Sequence, residues 1–421
     1  LKVLVVGGGG REHALVWKLS QSPRVKKIFC APGNAGISAL AECVNIQAEN
    51  IPAIVDLVRQ HKFDLTVVGP EAPLVAGLVD RLEAEGYPVF GPRQRAAELE
   101  GSKVLAKEVM RKYNVPTAGY EVFEDASEAR SYIRKTGVPC VIKADGLAAG
   151  KGVIVAEDEQ VALDAVDFIM RDRAFGAAGT RIVIEEFLKG EEVSLLAFTD
   201  GEQVMPMIPA QDHKRVFDED KGLNTGGMGA YAPAPVLSDA QKQEVMEKVM
   251  IPTVRGMARE DRPYKGVLYA GLMMTDKGPR VLEFNARFGD PEAQPILMML
   301  ESDLDDVIGA ILAGELGKVN LRWSDGASVC VVIASGGYPG DYAKGFEISG
   351  LDAMPENVVA FHAGTALQNG RVITAGGRVL GITAKAGSIS EAIELAYQGV
   401  SRVRFEGMHY RRDIGQKALR K

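Results

Sequence analysis

Residues 140–157 read CVIKADGLAAGKGVIVAE, a lysine-bearing glycine cluster between two apolar runs. At first sight it is a Walker A phosphate loop. The spacing fails twice: three residues rather than four separate Gly146 from Gly150, and Gly152 stands where a Ser or Thr would bind magnesium. The flanks then decide the fold. CVIKAD and GVIVAE both read as strands, so the cluster is the tip of a hairpin and not a turn from strand to helix. A glycine-rich hairpin suits a flap that moves over a nucleotide, with Lys143, Gly150 and Lys151 near its phosphates. A hairpin that only reverses the chain needs fewer glycines and no lysine at its tip.

Before this hairpin, residues 1–101 alternate short apolar strands with helical stretches: KVLVVG then REHALVWKLSQ, KKIFCAPG, IPAIVDLVRQH then DLTVVGPEAP, VAGLVDRLEAEG then PVFGP. That alternation belongs to a parallel sheet covered by helices, a Rossmann-like α/β domain. Its first turn sets Gly7, Gly8, Gly9 and Gly10 between a strand and a helix, where backbone N–H groups can hold a phosphate. A dinucleotide fingerprint is disfavoured, because the third glycine of G-x-G-x-x-G falls at Glu12 and the second strand runs into APGNAG with no acid for a ribose hydroxyl. A phosphorylated sugar fits better. Pro32, Gly33 and Asn34, with Gly69, Pro70 and Glu71, end strands that would face the same crevice. His13, at the helix start, reads as a capping or packing residue.

After the hairpin, RIVIEEFLKGEEVSLLAF (181–198) is a strand, a short linker and a second strand. Backbone groups of Glu185, Glu186, Phe187 and Leu188 could meet an adenine edge, and Glu191 or Glu192 could accept from ribose hydroxyls. QDHKRVFDEDKGLNTGGMGAYAPAP (211–235) is the longest polar irregular segment, and polar loops of that length in compact domains are usually functional or disordered. Its clustered glycines favour function. It carries Asp212, His213, Lys214 and Arg215, then Asn224, Thr225, Gly226, Gly227, Met228 and Gly229, whose closely spaced amides suit an anion. VLEFNARFGDPEAQP (281–295) puts Glu283, Asn285 and Arg287 on one face of a strand, since side chains alternate with a period of two.

A chain of 421 residues suggests about three domains. The expected divisions are an N-terminal substrate domain at 1–101, a central domain at 102–324 with the flap at about 120–190, and a small C-terminal α/β domain at 325–421. The composition, 46% hydrophobic and 25% charged with no long apolar run, excludes a membrane-spanning helix. LKVLVVGGGG reads as a first strand and not as a signal peptide, so a cytoplasmic location is expected. Cys30, Cys43, Cys140 and Cys330 lack Cys-x-x-Cys spacing, which argues against a zinc site or a disulfide framework. A net charge of -7 argues against nucleic acid as a partner, so any anionic ligand needs a local site. No Gly-x-Ser-x-Gly elbow and no His-Glu-x-x-His motif is present.

Taken in order, GGGGREHAL, APGNAG, VVGPEAPL, FGP, LEGSK, VIKADGLAAGKGVIV, VIEEFLKGEE, QDHKR, NTGGMGAY, LEFNARFGDPE and SGGYPGDY resemble the glycinamide ribonucleotide synthetase (phosphoribosylamine–glycine ligase) family of the ATP-grasp superfamily. The likeness runs over essentially the whole length, and the chain stops soon after RRDIGQKAL, as in a stand-alone enzyme. The resemblance implies ATP-dependent ligation of glycine to 5-phosphoribosylamine through glycyl phosphate. By this likeness Glu283 and Asn285 bind the Mg2+ or Mn2+ that bridges ATP phosphates, and Arg287 points at the γ-phosphate or the substrate carboxylate. Lys103 and Lys143 go to the α- and β-phosphates, Glu185 to Leu188 to adenine, and Glu192 to ribose with Glu191 in reserve. Asp212 and Lys214, with the Asn224–Gly229 loop, surround glycine and the transferring phosphoryl group, while the N-terminal glycine turn and Pro32 to Asn34 hold the sugar phosphate. Asp212 and Asp290 are candidate general bases. One departure stands out: the preceding strand, VLYAGLMM, lacks the extra metal-binding acid of many ATP-grasp enzymes. A monomer is expected, with transient contact to the enzyme that supplies phosphoribosylamine. The nearest rival is an ATP-grasp carboxylase that activates bicarbonate.

Overall fold

The computed structural model describes residues 1–147 and 152–420, so the expectations for Gly150 and Lys151 lie outside the described residues. The chain opens with β1 (Lys2–Gly7), β2 (Lys27–Pro32), β3 (Glu42–Cys43), β4 (Leu65–Val68) and β5 (Val89–Phe90). These form one parallel sheet in the order β3-β2-β1-β4-β5. Val3, Leu4, Val5 and Val6 are all fully buried, as a strand covered on both faces by helices requires. The strand order reverses at β1, so the crevice lies at the C-terminal ends of β1 and β4, where Gly8 and Gly69 sit.

The flap is a four-stranded antiparallel sheet of β6 (Tyr120–Phe123), β7 (Cys140–Ala144), β8 (Val153–Ala156) and β9 (Ile182–Glu186), in the order β6-β9-β7-β8. β7 pairs antiparallel with β8 across the glycine cluster, which is the hairpin read from the sequence. Ile133, Ile142, Ile169, Ile182 and Ile184 give this sheet an apolar core of its own.

Next come β10 (Glu191–Thr199), β11 (Val204–Pro206), β12 (Gln211–Asp212), β13 (Arg215–Phe217), β14 (Lys221–Asn224), β15 (Gly229–Ala232), β16 (Gly266–Thr275) and β17 (Gly278–Asn285). Those are followed by β18 (Ala327–Ala334), β19 (Val358–His362), β20 (Thr365–Gln368), β21 (Arg371–Thr374) and β22 (Arg378–Ala386). β11-β10-β16-β17 make the floor of the central unit. A further sheet, β12-β15-β18-β22-β19, takes strands from both sides of residue 324. β15 pairs with β18 from Gly229 opposite Val331 to Ala232 opposite Ser328. Backbone hydrogen bonds thus join the polar loop of the central segment to the C-terminal segment, although the two read as separate blocks in sequence.

One glycine far from these sheets' ends is dictated by backbone alone. Gly350 has φ +84°, and a Cβ there would lie 1.9 Å from the carbonyl oxygen of Arg402. Gly350→Ala should lower the free energy of unfolding by about 1–3 kcal/mol in urea denaturation, with kcat/KM per folded molecule unchanged.

Candidate active site

A cleft of about 1020 Å³ opens between the flap, the β10–β17 floor and the end of the N-terminal sheet. Its geometry starts from one irregularity. On β16 and β17, Gly271 lies opposite Glu283 but Leu272 lies opposite Val281, so Leu282 is an extra, unpaired residue. Such a bulge re-aims side chains and frees a carbonyl. Leu282, Glu283 and Asn285 all line the cleft, and the Leu282 carbonyl accepts from Lys143 Nζ at 2.9 Å. Arg287 lies beyond the end of β17, yet it reaches the same cleft.

The lysines are arranged around carboxylates. Glu185 Oε1 is buried 2.9 Å from Lys143 Nζ and 3.1 Å from Lys107 Nζ, and Lys107 also donates to Thr117 Oγ1 at 2.7 Å. Burial lowers the Lys107 ammonium to about 8 despite Glu185. Lys107 was not singled out from the sequence, although it lies four residues after Lys103 on the helix Lys103–Lys112, a spacing that shares one helical face. Ser102 caps that helix, and Asp145, between β7 and the glycine cluster, accepts from Ser102 Oγ and the Val104 amide. Lys103 Nζ donates to the Gly146 carbonyl at 3.2 Å. Among the described residues Lys103 is the one of these cleft lysines with no carboxylate partner.

Glu186 of the linker exchanges two hydrogen bonds with the backbone of Gly119, at 2.9 Å each, while Phe187, Leu188, Glu191 and Glu192 line the cleft. Glu192 pairs with Lys214. Burial works against the Lys214 charge, but Glu192, Asp212 and Glu283 outweigh it and hold the ammonium well above its usual range. Burial pushes the Asp212 carboxyl up to about 7; Lys214 opposes this, and Glu292 and Glu192 reinforce it. His213 is buried, with burial and Arg411 lowering it to about 3, so it stays neutral.

Burial also works against ionised Glu283, yet Lys214, Lys103, Lys143 and Arg287 keep its carboxylate below the usual range. Its oxygens have no hydrogen-bond donor among the described residues, and Asn285 Oδ1 meets only Arg287 Nη2, at 3.4 Å. A charged carboxylate and an amide oxygen left open in one cleft fit a hard divalent cation that takes its other ligands from phosphates and water. Among the described residues no group of three or more His, Cys, Asp or Glu side chains converges on a single point.

Other expected residues are used differently. Arg287 is engaged by Glu100 at 2.7 Å and Glu71 at 3.1 Å, both from the N-terminal segment. The amides of Thr225, Gly226, Gly227 and Met228 donate to Lys214 O, Tyr338 OH, Thr225 Oγ1 and His213 O. Those four amides therefore do not cradle an anion; Asn224, Thr225 and Gly226 form a cleft wall, and Gly227, Met228 and Gly229 lie behind it. At the N-terminal turn, the Gly9 amide donates to Glu12 Oε2 at 2.7 Å and the Arg11 amide to Asp290 Oδ2 at 3.4 Å. Gly8 is required by close approach, since a Cβ there would lie 2.5 Å from the backbone oxygen of Gly33. Asn34 Nδ2 donates to Gly8 O and His362 O, and its Oδ1 accepts from Gly36 and Ile37. Asn34 with Pro32, Gly33, Gly69 and Pro70 sits outside the cleft lining, whereas Glu71 is within it. His13 packs as expected: it is buried, and its Nδ1 accepts from the His362 amide at 2.7 Å.

Asp290 is bracketed by cations. Arg378 Nη2 lies 3.5 Å from its carboxylate, and Arg378 Nη1 donates to the Gly226 and Asp290 carbonyls. Burial is outweighed by Arg378 and Arg11, so Asp290 is held below the usual range. Arg378, on β22, had no local sequence signal.

Comparison with known proteins agrees with this architecture. Family models described as phosphoribosylglycinamide synthetase match the chain over 1–100 (N domain), 101–293 (ATP-grasp domain) and 328–417 (C domain). A phosphoribosylamine–glycine ligase of Halalkalibacterium halodurans is 51% identical over 419 residues, covering 100% of this chain and 97% of the relative. That of Vibrio cholerae is 52% identical over 423 residues, covering 100% and 99%. The crystal structure of a phosphoribosylamine–glycine ligase from Thermotoga maritima gives a TM-score of 0.86 at 33% identity, covering 98% of this chain and 100% of that one. A biotin carboxylase of Campylobacter jejuni gives 0.76 at 15% identity, covering 97% and 92%, which is a likeness of fold alone.

The Asp212 environment has a thermodynamic signature. Its folded value, about 7, lies above the reference 3.8, so folding favours the protonated acid and stability from this group is lost as pH rises from about 4 to about 7. Relative to Asp212→Asn, the wild type should lose stability over that window with a slope of at most ~1.4 kcal/mol per pH unit. Urea denaturation across pH 4–8 measures it; parallel curves would remove the raised carboxyl.

Proposed function

The chain belongs to the phosphoribosylglycinamide synthetase family, and on that premise we propose that its cleft ligates glycine to 5-phosphoribosylamine, giving glycinamide ribonucleotide, ADP and phosphate in purine biosynthesis. The observation that carries this reading is a relationship over the whole chain together with a cleft that gathers Lys103, Lys143, Lys214, Glu283 and Asn285. Glycine's carboxylate attacks the γ-phosphate in line to form glycyl phosphate and ADP. The 1-amino group of phosphoribosylamine then attacks the acyl carbon and releases phosphate. Neither step requires a protein nucleophile, so the residues act by positioning and by neutralising charge.

Lys103 and Lys143 are assigned to the α- and β-phosphates. Lys107 and the Glu185 carboxylate hold Lys143 at its post, and the backbone from Glu185 to Leu188 meets adenine with Glu192 or Glu191 at ribose. Glu283 and Asn285 would hold Mg2+ or Mn2+, which supplies charge neutralisation at the phosphates. Lys214 and Arg287 stand by the transferring phosphoryl group and the glycine carboxylate. Asp212 is better suited than Asp290 to take the amine proton, because a carboxyl near 7 can cycle at neutral pH while Asp290 is held ionised by Arg378 and Arg11. The end of the N-terminal sheet, with Gly8, Gly9, Gly10, Pro32, Gly33, Asn34, Gly69, Pro70 and Glu71, is assigned to phosphoribosylamine; there it is the turn's shape and not its amides alone that would receive the sugar phosphate. The reaction belongs in the cytoplasm with its small-molecule substrates, and the proposed active form is a monomer. Labile phosphoribosylamine favours a transient contact with the enzyme that makes it.

The test is ADP release with Mg2+, ATP and glycine, with and without phosphoribosylamine generated from ribose 5-phosphate and ammonia. Release should require both glycine and the amine; release that needs bicarbonate and ignores glycine would overturn the substrate. Glu283→Gln should lower kcat/KM by roughly 100-fold or more while leaving the urea midpoint close to wild type. A fully active Glu283→Gln variant would remove the metal role.

A further inference from the structure

The cleft wall formed by Lys214 and Asn224–Gly226 is joined by the hairpin β13–β14, and this hairpin is weakly built. Its two strands pair only with each other and with a register shift, and a lone two-stranded hairpin is marginal in water. Glu219 and Asp220 at its turn adopt φ of +58° and +54°, a left-handed conformation that costs a non-glycine residue and persists only when neighbours enforce it.

The neighbours come from the C-terminal segment. Arg411 is fully buried and donates to Asp413 through Nε and Nη2 at 2.8 and 2.7 Å. Its remaining nitrogen, Nη1, reaches across to the hairpin, 3.0 Å from both the Arg215 carbonyl and Asp220 Oδ1. Lys417 Nζ takes the other oxygen of Asp220 at 2.6 Å. Backbone ties reinforce the join: Arg412 N donates to Asp218 Oδ1 at 2.7 Å and Glu219 N to Asp413 Oδ2 at 2.9 Å. Both strained turn residues are therefore held by the C-terminal segment, some 190 residues away in sequence.

We propose that Arg411, as a positioning residue, and Lys417, which with Asp220 also lines the cleft, form a C-terminal latch that through Asp220 fixes the hairpin and so sets Lys214 and Asn224–Gly226 for the glycine substrate. The inference rests on the ligase reading and adds to it a determinant for one substrate. ATP is gripped from elsewhere, by the flap, the linker and Lys103, so loosening the latch separates the two substrates.

Lys417→Met and Arg411→Lys test it in the full chain. Lys417→Met removes one tie while Asp220 keeps Arg411, so it leaves no buried charge unpaired even if the Arg411 variant fails to fold. In Lys417→Met the KM for glycine should rise about 5-fold or more with the KM for ATP within about 2-fold, and amide hydrogen exchange over 215–224 should quicken while β10 and β16 keep their protection. Arg411→Lys, which keeps the charge but loses the fork, should move the same readouts in the same direction. A purely structural role predicts instead a loss of active molecules with both KM values unchanged; that result, or equal rises in both KM values, overturns the latch. If the wild type shows no glycine-dependent turnover, the ligase reading fails, and unchanged exchange over 215–224 still overturns the latch independently.

Discussion

Glu185 buried between Lys107 and Lys143 is the interaction on which the cleft depends. Three charges removed from water must satisfy one another, because an unpaired buried ion is far more costly than a surface one. Their positions join three parts of the molecule: Lys107 on the helix Lys103–Lys112, Lys143 and Glu185 on adjacent flap strands, and the Leu282 carbonyl on the bulged β17. Lys143 lies at the end of β7 that runs into the glycine cluster and Glu185 lies opposite Val141 toward the other end, so the triad ties β7 and β9 along their length to the helix and to β17.

The same economy runs through the rest of the cleft. In a chain of net charge -7, cations are gathered in the cleft, and nearly every one of those named above is balanced by a carboxylate. Arg287 is balanced by Glu71 and Glu100, Lys214 by Glu192, and Arg378 by Asp290. Balanced cations keep their orientation in the absence of substrate, which reduces the ordering needed when an anionic substrate arrives. Among the described residues Lys103 differs, meeting only the carbonyl of Gly146 at the start of the glycine cluster.

The chemistry follows from this arrangement. Phosphoryl and acyl transfer between small substrates need alignment and a dry, charge-balanced environment more than a nucleophile. The N-terminal sheet, the central floor and the C-terminal strands each contribute one wall, and Arg287 and Arg378 tie the walls together. Because β15 and β18 share one sheet, the C-terminal segment is part of the cleft's construction and not an appendage.

Local features were legible in the sequence because their causes are local. The alternation of strands and helices in 1–101, the hairpin at 140–157, and the open pair Glu283 and Asn285 on one strand follow from periodicity and from glycine spacing, which act over a few residues. The family likeness was carried by the same short motifs. Tertiary structure alone decided how the groups are shared. Glu100 meets Arg287 across 187 residues of chain and Asp220 meets Arg411 across 191, and no periodicity encodes such pairs. It also turned the 224–229 loop from a nest of free amides into a wall whose amides are already bonded, and spent Asn34 on fastening two turns. Glycine clusters in sequence announce close approach; what approaches, a ligand or another stretch of backbone, is settled only when distant strands are brought side by side.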